Sequence, residues 1–564
     1  MTKTHPQSSE ELTFLTILET TNTKNISPSK GIFSIFSAFP EYDRGNRLYD
    51  LGRYESAIPY YENAVKIKPD WAIGWLKLAD TLSKLQKYEP AVAAYKRSLS
   101  LKPNLHQAWN SYGVVLSSLK QYEEAIASFD KGIKIDPNNY ELWFNKAIIL
   151  SELTQYLPAI DCYKEALKMQ PMKGEIWSAQ GQALLNLQKY AEALAAYDCA
   201  AKLKPDNYYI WFNRGLALFQ TQRYAEAVIS YGHAIELQPE NYLAWFNLGI
   251  AESKLHKYQD AVSSFNKAIK LNPDDYEAWY YKGLALKNNW KEGGVACFDK
   301  AINFNPNLPE IWISRGYILL DLFKYSEALE SFNQAITINS NYPEAWLGRG
   351  KTWMALGKYN EALIAYGNAI SIEPYFLEAW NCRGETLEKL QNYDQALAAY
   401  DKVIKMSFQQ GVSYEKVGLQ RSAALEKLER YSEAIEAYDL VIEKQPYNFD
   451  AWLNRGLNLE KLENYEEAVF SYKQAISIWP SNYQAWLQLG LMLEKLQRYE
   501  EAIVVYNKIV SLRPSNHKIW FQRGLILEKL GYIEEAVSSY KIVLEIEPNY
   551  HKAIERKKRL KLPG

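Results

Sequence analysis

Tryptophan recurs through this chain at a fixed period. Successive tryptophans are 34 residues apart over the first half of the chain, and the period resumes after small shifts in the second half. A constant period of this length indicates an array of similar units that stack on one another. The thirteen tryptophans in register are Trp75, Trp109, Trp143, Trp177, Trp211, Trp245, Trp279, Trp312, Trp346, Trp380, Trp452, Trp486 and Trp520.

Length, charge and cysteine content narrow the function classes. A chain of 564 residues is too long for one compact core, so it divides into domains unless it grows by stacking. The formal net charge of -1 offers no basic excess for phosphate neutralisation, which argues against a nucleic-acid partner. Four scattered cysteines without a CxxC pair predict no metal site and favour a cytoplasmic location. No apolar stretch is long enough to predict direct insertion into a membrane.

The repeat that begins at Trp109 shows the residue pattern that the other repeats follow. Its apolar and small residues are spaced so that they fall on single faces of two helices. The turn is expected near Lys120 and Gln121, the helices are expected to approach closely where Trp109 and Phe129 interdigitate, and Pro137 ends the second helix. The residues of the pattern are Trp109, Gly113, Leu116, Tyr122, Ala125, Phe129, Gly132 and Pro137.

This pattern resembles the tetratricopeptide repeat, whose Trp, Gly, Tyr, Ala, Phe or Tyr, Ala and Pro signature it matches. The resemblance covers residues 38–548 and implies about fifteen repeats. It implies an all-α fold, an α-solenoid in which antiparallel helix pairs stack into a right-handed superhelix. A mostly disordered tail is expected over residues 1–37, with a short helix at 9–20, and a C-terminal capping helix and tail over 549–564.

Two stretches interrupt the period. Around residues 288–294 one residue is missing, and asparagines and glycines there predict a weak or late-starting second helix. Over residues 405–418 four residues are added, with Phe408 in the proline position and Gly418 in the tryptophan position. Either these stretches are hinges, which predicts preferential proteolysis, or they are tolerated drift in a long array.

The resemblance places a peptide-binding groove on the first helix of each repeat. With the tryptophan counted as position four, positions two, five, six, nine, twelve and thirteen line that groove. Amides at position six can donate to and accept from one peptide unit, which is similar to the asparagine ladder of O-linked N-acetylglucosamine transferases. Position five carries large aromatic side chains. The candidate groove residues are Asn145, Asn213, Asn247, Asn454, Phe144, Phe212, Phe246 and Tyr280.

Both groove patterns have a structural alternative. The amide ladder is interrupted at Ala179, Tyr281, Gly348 and Cys382, and exposed helix positions favour polar residues in any case. A soluble protein seldom leaves an aromatic stripe bare. Either a partner helix or an extended peptide covers the position-five side chains, or part of the stripe packs against the second helices.

Glutamate recurs at position twelve of the last five repeats, followed each time by lysine and leucine. One carboxylate per packed helix would form an acidic row that suits a basic partner. The alternative is a solvated, charge-balanced surface, because the adjacent lysines offset the field. The candidate acidic row consists of Glu388, Glu426, Glu460, Glu494 and Glu528.

Arginine recurs at position seven, beside the tryptophan. We expect these guanidinium groups to stack or to pair between helices rather than to bind a ligand, because arginine suits both roles. The recurring residues are Arg214, Arg315, Arg349, Arg383, Arg455 and Arg523.

Catalytic motifs are not evident in the sequence. The string AWLGRGKT at residues 345–352 matches a loose phosphate-loop pattern, but it falls inside a predicted repeat helix whose amides are already bonded. The six histidines show no partner spacing, so we expect neither an enzyme nor a cofactor.

The sequence therefore predicts a non-enzymatic scaffold or adaptor that binds peptide segments of partner proteins in its concave groove. One alternative is a structural subunit or assembly factor of a larger complex, for example in secretion, pilus or photosystem assembly. A second alternative is the detached substrate-recruiting arm of a glycosyltransferase-type enzyme. Groove substitutions at Asn213 and Asn247 separate the assembly alternative from the other two.

Overall fold

The computed structural model describes residues 30–413 and 415–560, and the helix predicted at 9–20 lies outside them. Within these residues, 31 α-helices follow one another without a strand. Consecutive helices pack together as hairpins across short turns. The all-α architecture of stacked helix pairs is therefore confirmed.

The chain divides into two compact units, and the first is Met1–Pro273. Its described residues, from Lys30 on, form seven helix pairs, in which we call the first helix A and the second helix B. Its helices are α1 (Lys30–Asp50), α2 (Tyr54–Ile67), α3 (Ala72–Lys84), α4 (Tyr88–Leu101), α5 (His106–Ser118), α6 (Tyr122–Ile135), α7 (Tyr140–Glu152), α8 (Tyr156–Met169), α9 (Gly174–Asn186), α10 (Tyr190–Leu203), α11 (Tyr208–Gln220), α12 (Tyr224–Leu237), α13 (Tyr242–Lys254) and α14 (Tyr258–Leu271).

The second unit is Asp274–Gly564, and the part of it that the structure describes forms eight helix pairs and a final single helix. Its helices are α15 (Tyr276–Leu286), α16 (Lys291–Phe304), α17 (Pro309–Asp321), α18 (Tyr325–Ile338), α19 (Pro343–Ala355), α20 (Tyr359–Ile372), α21 (Leu377–Lys389), α22 (Tyr393–Gln410), α23 (Glu415–Lys427), α24 (Tyr431–Lys444), α25 (Phe449–Lys461), α26 (Tyr465–Ile478), α27 (Tyr483–Lys495), α28 (Tyr499–Leu512), α29 (His517–Lys529), α30 (Ile533–Ile546) and α31 (His551–Leu560).

A left-handed residue ends most A helices. In α3 the amide of Gln86 bonds to the carbonyl of Ser83, and the amide of Lys87 bonds to that of Leu82. This pair of bonds is a Schellman motif, which requires a residue with positive φ, here Gln86 at 59°. The turn predicted at Lys120 has the same conformation, so the sequence located it correctly.

The tryptophans join one repeat to the next. The indole Nε1 of Trp109 donates to the carbonyl oxygen of Pro103 at 2.8 Å, and the same bond recurs from Trp211 to Pro205 at 2.7 Å. Each indole is half-buried rather than fully buried. The bond explains why tryptophan and proline share one period, since the proline carbonyl that loses its helical partner is satisfied by the indole.

The largest fully buried side chains are aromatic residues of the B helices, such as Tyr197, Tyr231 and Phe129. In the pair α5–α6 the ring of Phe129 lies so close to Gly113 that a Cβ on the glycine would come within 2.5 Å of it. Phe129 therefore packs on Gly113, and Trp109 packs against the same apolar cluster, so the predicted close approach of the paired helices is made at this glycine-aromatic contact. The small residue at position eight is needed because the B-helix ring occupies its side-chain space.

The two interrupted stretches change helix lengths. The missing residue shortens the A helix α15 to 11 residues, whereas the B helix α16 has the usual 14. The prediction of a weak second helix was therefore wrong, because the loss is absorbed before the turn. The added residues extend α22 to 18 residues, and Gly411 ends it with φ of 66°. Gly418 occupies the fourth position of α23, as predicted. The hinge hypothesis stays a prediction.

Candidate peptide-binding face

The amides at position six connect A helices of successive repeats. In the first unit, Asn145 Nδ2 donates to Asn110 Oδ1 at 2.9 Å, and Asn213 Nδ2 donates to Gln182 Oε1 at 2.9 Å. Both bonds cross from one A helix to the preceding one. We call the surface of the A helices that carries these amides, Asn110, Asn145, Gln182 and Asn213, the A-helix face.

The remaining two candidate amides contact other groups within the protein. Asn247 Nδ2 donates to the carbonyl of Leu243 in its own helix at 2.8 Å. Burial raises the pKa of Tyr438 on the preceding B helix, and a side-chain hydrogen bond with Asn454 offsets part of that rise. An amide has two N–H donors and two acceptor lone pairs. The predicted ladder is therefore partly occupied within the protein, although each amide keeps further hydrogen-bonding capacity.

The aromatic residues at position five do not form a bare stripe. Phe144 packs on Tyr163 with ring centroids 6.0 Å apart, and Phe212 packs on Tyr231 at the same separation. Phe246 contacts Phe265 at 6.1 Å, and it is buried. Tyr280 contacts Phe298 at 5.8 Å. These contacts are the structural alternative left open by the sequence, in which position five packs against the B helix of its own repeat.

The A-helix face nevertheless carries apolar side chains that the sequence pattern did not single out. Tyr209 and Leu243, at position two of α11 and α13, are 65% and 50% exposed. Position two lies one turn before position six on the same face, so these side chains flank Asn213 and Asn247. A signal was available in the sequence, because position two is charged or amide-bearing in most repeats and is apolar or aromatic in these two.

The glutamates of the candidate acidic row are half-buried and bond within the protein. Glu426 accepts from Tyr438 at 2.8 Å, and Glu494 accepts from Tyr506. Glu528 accepts from Tyr540 and Arg556, each at 3.0 Å.

The other two members of the row have related surroundings. Glu460 pairs with Lys495 at 3.2 Å. Burial raises the pKa of Glu388, and the same cause raises the pKa of Glu494. The sequence did not foresee these roles. They reduce the charge that the row offers to a partner, because carboxylates held by internal donors are already neutralised or desolvated.

Other chemistries find no support in the described residues. Thr352 of the phosphate-loop-like string lies inside α19, and its hydroxyl donates to the carbonyl of Gly348 at 2.8 Å. Across residues 30–413 and 415–560, no group of three or more His, Cys, Asp or Glu side chains is arranged to hold a metal ion. Among the described helices, none is long and apolar enough to cross a bilayer.

Sequence models described as tetratricopeptide repeat or TPR repeat match most of the chain. The matched ranges run from residue 45 to 275, from 316 to 409 and from 419 to 550. The intervals between them are 276–315 and 410–418. They contain the shortened α15 and the turn after the extended α22, so departures from the repeat pattern coincide in sequence and structure.

Three solved structures are similar to parts of the chain. The crystal structure of YrrB, a TPR protein with an unusual peptide-binding site, is 22% identical, covers 34% of this chain and 97% of YrrB, and has a TM-score of 0.32. The structure of Naa15/Naa10 bound to HypK-THB is 15% identical, with 93% and 96% coverage and a TM-score of 0.32. A tetratricopeptide repeat protein from Parabacteroides merdae ATCC 43184 is 19% identical, with 44% and 98% coverage and a TM-score of 0.35. No curated protein sequence matches the chain.

Proposed function

We propose that this chain, which belongs to the tetratricopeptide repeat family, is a non-enzymatic scaffold for partner proteins. We further propose that it binds peptide segments along the A-helix face of its first unit. The observation that carries this proposal is the pairing of exposed apolar side chains, Tyr209 and Leu243, with the amides of Asn213 and Asn247. A cytoplasmic location stays a prediction from the cysteine content.

The combination suits an extended peptide. An amide that donates and accepts can bond to one peptide unit without selecting its side chain, while a neighbouring apolar surface gains from burying a partner side chain. Tyrosine is effective in such a role because it buries a large rigid area and keeps a polar hydroxyl. Since Asn213 already donates one N–H to Gln182, its orientation is fixed before the partner arrives.

Peptide-array binding followed by site-directed substitution tests this proposal. Peptides selected against the full chain should lose at least tenfold in affinity when Tyr209→Ala and Leu243→Ala are combined. Ile229→Ala is the matched control, because Ile229 is an exposed apolar residue on the B helix α12 of the same unit. Loss of affinity in the control equal to that in the double variant would refute the A-helix face as the binding surface.

A structural subunit of a larger complex is the second candidate function, and a feature of the second unit favours it. Phe470 and Val504 occupy position six of successive B helices and are 53% and 65% exposed. Val504 lines an apolar pocket of about 370 Å³ together with Trp486 and Leu489. A partner that packs on this surface should be released by Phe470→Ser with Val504→Ser and should be unaffected by Tyr209→Ala with Leu243→Ala.

A further inference from the structure

The arginine at position seven has a repeated set of partners in four repeats. Its Nε donates to an Asp or Asn at position nine of the preceding B helix, and one terminal nitrogen donates to a Ser at position seven of its own B helix, over distances of 2.5–2.8 Å. The sets are Arg214 with Asp198 and Ser230, Arg315 with Asp299 and Ser331, Arg455 with Asp439 and Ser471, and Arg523 with Asn507 and Ser539. The predicted pairing between helices is confirmed for these residues.

Arg383 has none of these partners. Gly367 stands where the other repeats have Asp or Asn, and Ala399 stands where they have Ser. The third position of the B helix is Glu in those four repeats and Gln395 in this one. Among the described residues, no hydrogen bond or ion pair reaches Arg383, and its guanidinium lies 5.4 Å from the ring centroid of Trp380.

The missing partners leave a pocket. A cavity of about 280 Å³ is lined by Trp380, Arg383, Gln395, Ala398, Ala399 and Lys402. Its lining contains two cations and no acidic side chain. A Cβ added to Gly367 would meet open space, so the position that carries the carboxylate in other repeats is vacant here.

The preceding repeat has a related defect. Arg349 lies over Trp346 at 5.3 Å, and its Nε is buried without a hydrogen-bond partner in the described part of the chain. Asn333 and Ala365 stand in the Asp and Ser positions of this repeat. A desolvated guanidinium nitrogen without an acceptor is costly, and Arg349, like Arg383, lacks the internal acceptors that hold the four paired arginines.

We propose that this Arg383 pocket, formed by Trp380, Arg383, Gln395, Ala398, Ala399 and Lys402, binds a carboxylate side chain of an acidic peptide segment. The incoming carboxylate takes the place that an Asp side chain holds in the other repeats. Asp198, Asp299 and Asp439 are about half-exposed in their pairs, so that place is reachable from solvent. The planar guanidinium accepts a carboxylate in a bidentate geometry, and Lys402 adds a second charge.

The spacing of the two arginines predicts the spacing of the ligand. Arg349 and Arg383 lie on α19 and α21, which contact each other, and helices packed in this way lie about 8–10 Å apart. A peptide in the polyproline II conformation has three residues per turn and advances about 3.1 Å per residue, so side chains three positions apart lie on one face, about 9 Å from each other. Two acidic residues with this spacing, Glu-x-x-Glu, would therefore reach both arginines at once.

This binding site is separate from the proposed function. The Arg383 pocket combines A-helix and B-helix residues of the second unit, whereas the proposed peptide-binding face uses A-helix residues of the first unit. Either can fail without the other. Variants that combine Tyr209→Ala with Leu243→Ala should leave binding of an acidic peptide unchanged.

Fluorescence anisotropy with the full chain tests the proposal. The probe is a fluorescein-labelled Glu-Gly-Gly-Glu-containing peptide, and its counterpart with Gln in place of Glu is the reference. We expect the acidic probe to bind at least tenfold more tightly than the reference, with an affinity that falls as salt is raised. Arg383→Gln should remove this difference, and Arg315→Gln, at an arginine that is already paired, should not.

The decisive variant is Gly367→Asp. It should rebuild the internal pair seen between Arg315 and Asp299, and so abolish probe binding while the thermal midpoint stays equal or rises. Gly367→Ala is the matched control and should keep full affinity. The proposal is overturned if Gly367→Asp still binds the probe, or if the Gln reference binds equally. A phosphoserine peptide that binds tenfold more tightly than the acidic probe would overturn the assignment to carboxylate.

Discussion

The last five repeats differ from the phenylalanine-bearing repeats in how they fill the same core position. In the last five, the B-helix aromatic residue is a tyrosine, and a glutamate precedes it by twelve residues. Where the aromatic residue is Phe129, Phe265, Phe298 or Phe332, that earlier position holds serine or leucine. We infer that the glutamate serves as a hydrogen-bond acceptor for the tyrosine hydroxyl, because a buried hydroxyl needs a partner and a phenyl ring does not.

The geometry supports this interpretation of the acidic row. The hydroxyl of Tyr438 donates to Glu426, and that of Tyr506 donates to Glu494. Where Tyr231 has Phe219 in the glutamate position, its hydroxyl is buried without a partner in the described part of the chain. The charge-assisted hydrogen bond forms in three of the five glutamate-bearing repeats, whereas the hydroxyls of Tyr400 and Tyr472 are buried without a hydrogen-bond partner in the described part of the chain.

The largest expected effect tests whether ring burial or the hydroxyl hydrogen bond contributes more to the free energy of unfolding. Tyr506→Ala and Phe265→Ala should each reduce the free energy of unfolding by about 3–5 kcal/mol, because both rings are fully buried against a neighbouring helix. Similar losses are expected although one residue is a tyrosine with a glutamate and the other is a phenylalanine with a serine. Chemical denaturation measures the losses. A much larger loss for Tyr506→Ala would show that the hydrogen bond outweighs ring burial.

Removing the hydroxyl alone separates the two kinds of repeat. Tyr506→Phe should cost about 1–3 kcal/mol, because the half-buried carboxylate of Glu494 loses its donor. Tyr231→Phe is the matched control and should be neutral or stabilising, since it removes a buried hydroxyl that has no partner among the described residues. Equal destabilisation of both variants would contradict the pairing of glutamate with tyrosine.

Some features of the fold follow from the repeat pattern of the sequence, and others do not. The period gave the helix pairs, the turn at Lys120 and the family, because backbone hydrogen bonding and apolar spacing repeat in every unit. The period could not tell whether position five faces the groove or the core. An A helix has more than one buried face, and Phe246 lies on one of these faces. The sequence placed Glu494 in a surface row, because the identity of a glutamate does not show whether its side chain is buried. The constant twelve-residue spacing to a tyrosine was the overlooked signal.

The pH dependence of stability should differ in sign between a core and a surface carboxylate. Burial raises the pKa of Glu494 above its ordinary value, so the folded state holds this proton more tightly than the unfolded state does. Stability contributed by Glu494 therefore falls as the pH rises from the ordinary value through the raised pKa. Glu494→Gln should be more stable than the parent chain near neutral pH, and the advantage should disappear below the ordinary pKa.

Glu501 provides the opposite case on the next helix. Hydrogen bonding to Arg498 is the main cause that lowers the pKa of Glu501, so its contribution is present above the ordinary pKa and is lost as the pH falls through the lowered value. Glu501→Gln should accordingly lower stability near neutral pH. Thermal melts of the two variants at several pH values measure both effects. Parallel pH profiles for the two variants would show that Glu494 behaves as a surface residue.

The smallest expected effect concerns the turns, where the two kinds of repeat do not differ. Gln222 lies in the turn of the Tyr231 repeat, which has Phe219 in the glutamate position, and Gln497 lies in the turn of a glutamate-bearing repeat, yet both have positive φ, at 60° and 57°. Replacing either by glycine relieves left-handed strain but adds unfolded-state entropy, so each should gain at most about 1 kcal/mol. Gly357, which occupies the same turn position, should lose a similar amount on replacement by alanine. Because the turn is independent of the core position, Gln222→Gly and Gln497→Gly should give equal shifts in denaturation midpoint, and unequal shifts would show that the tyrosine-glutamate pair also acts on the backbone.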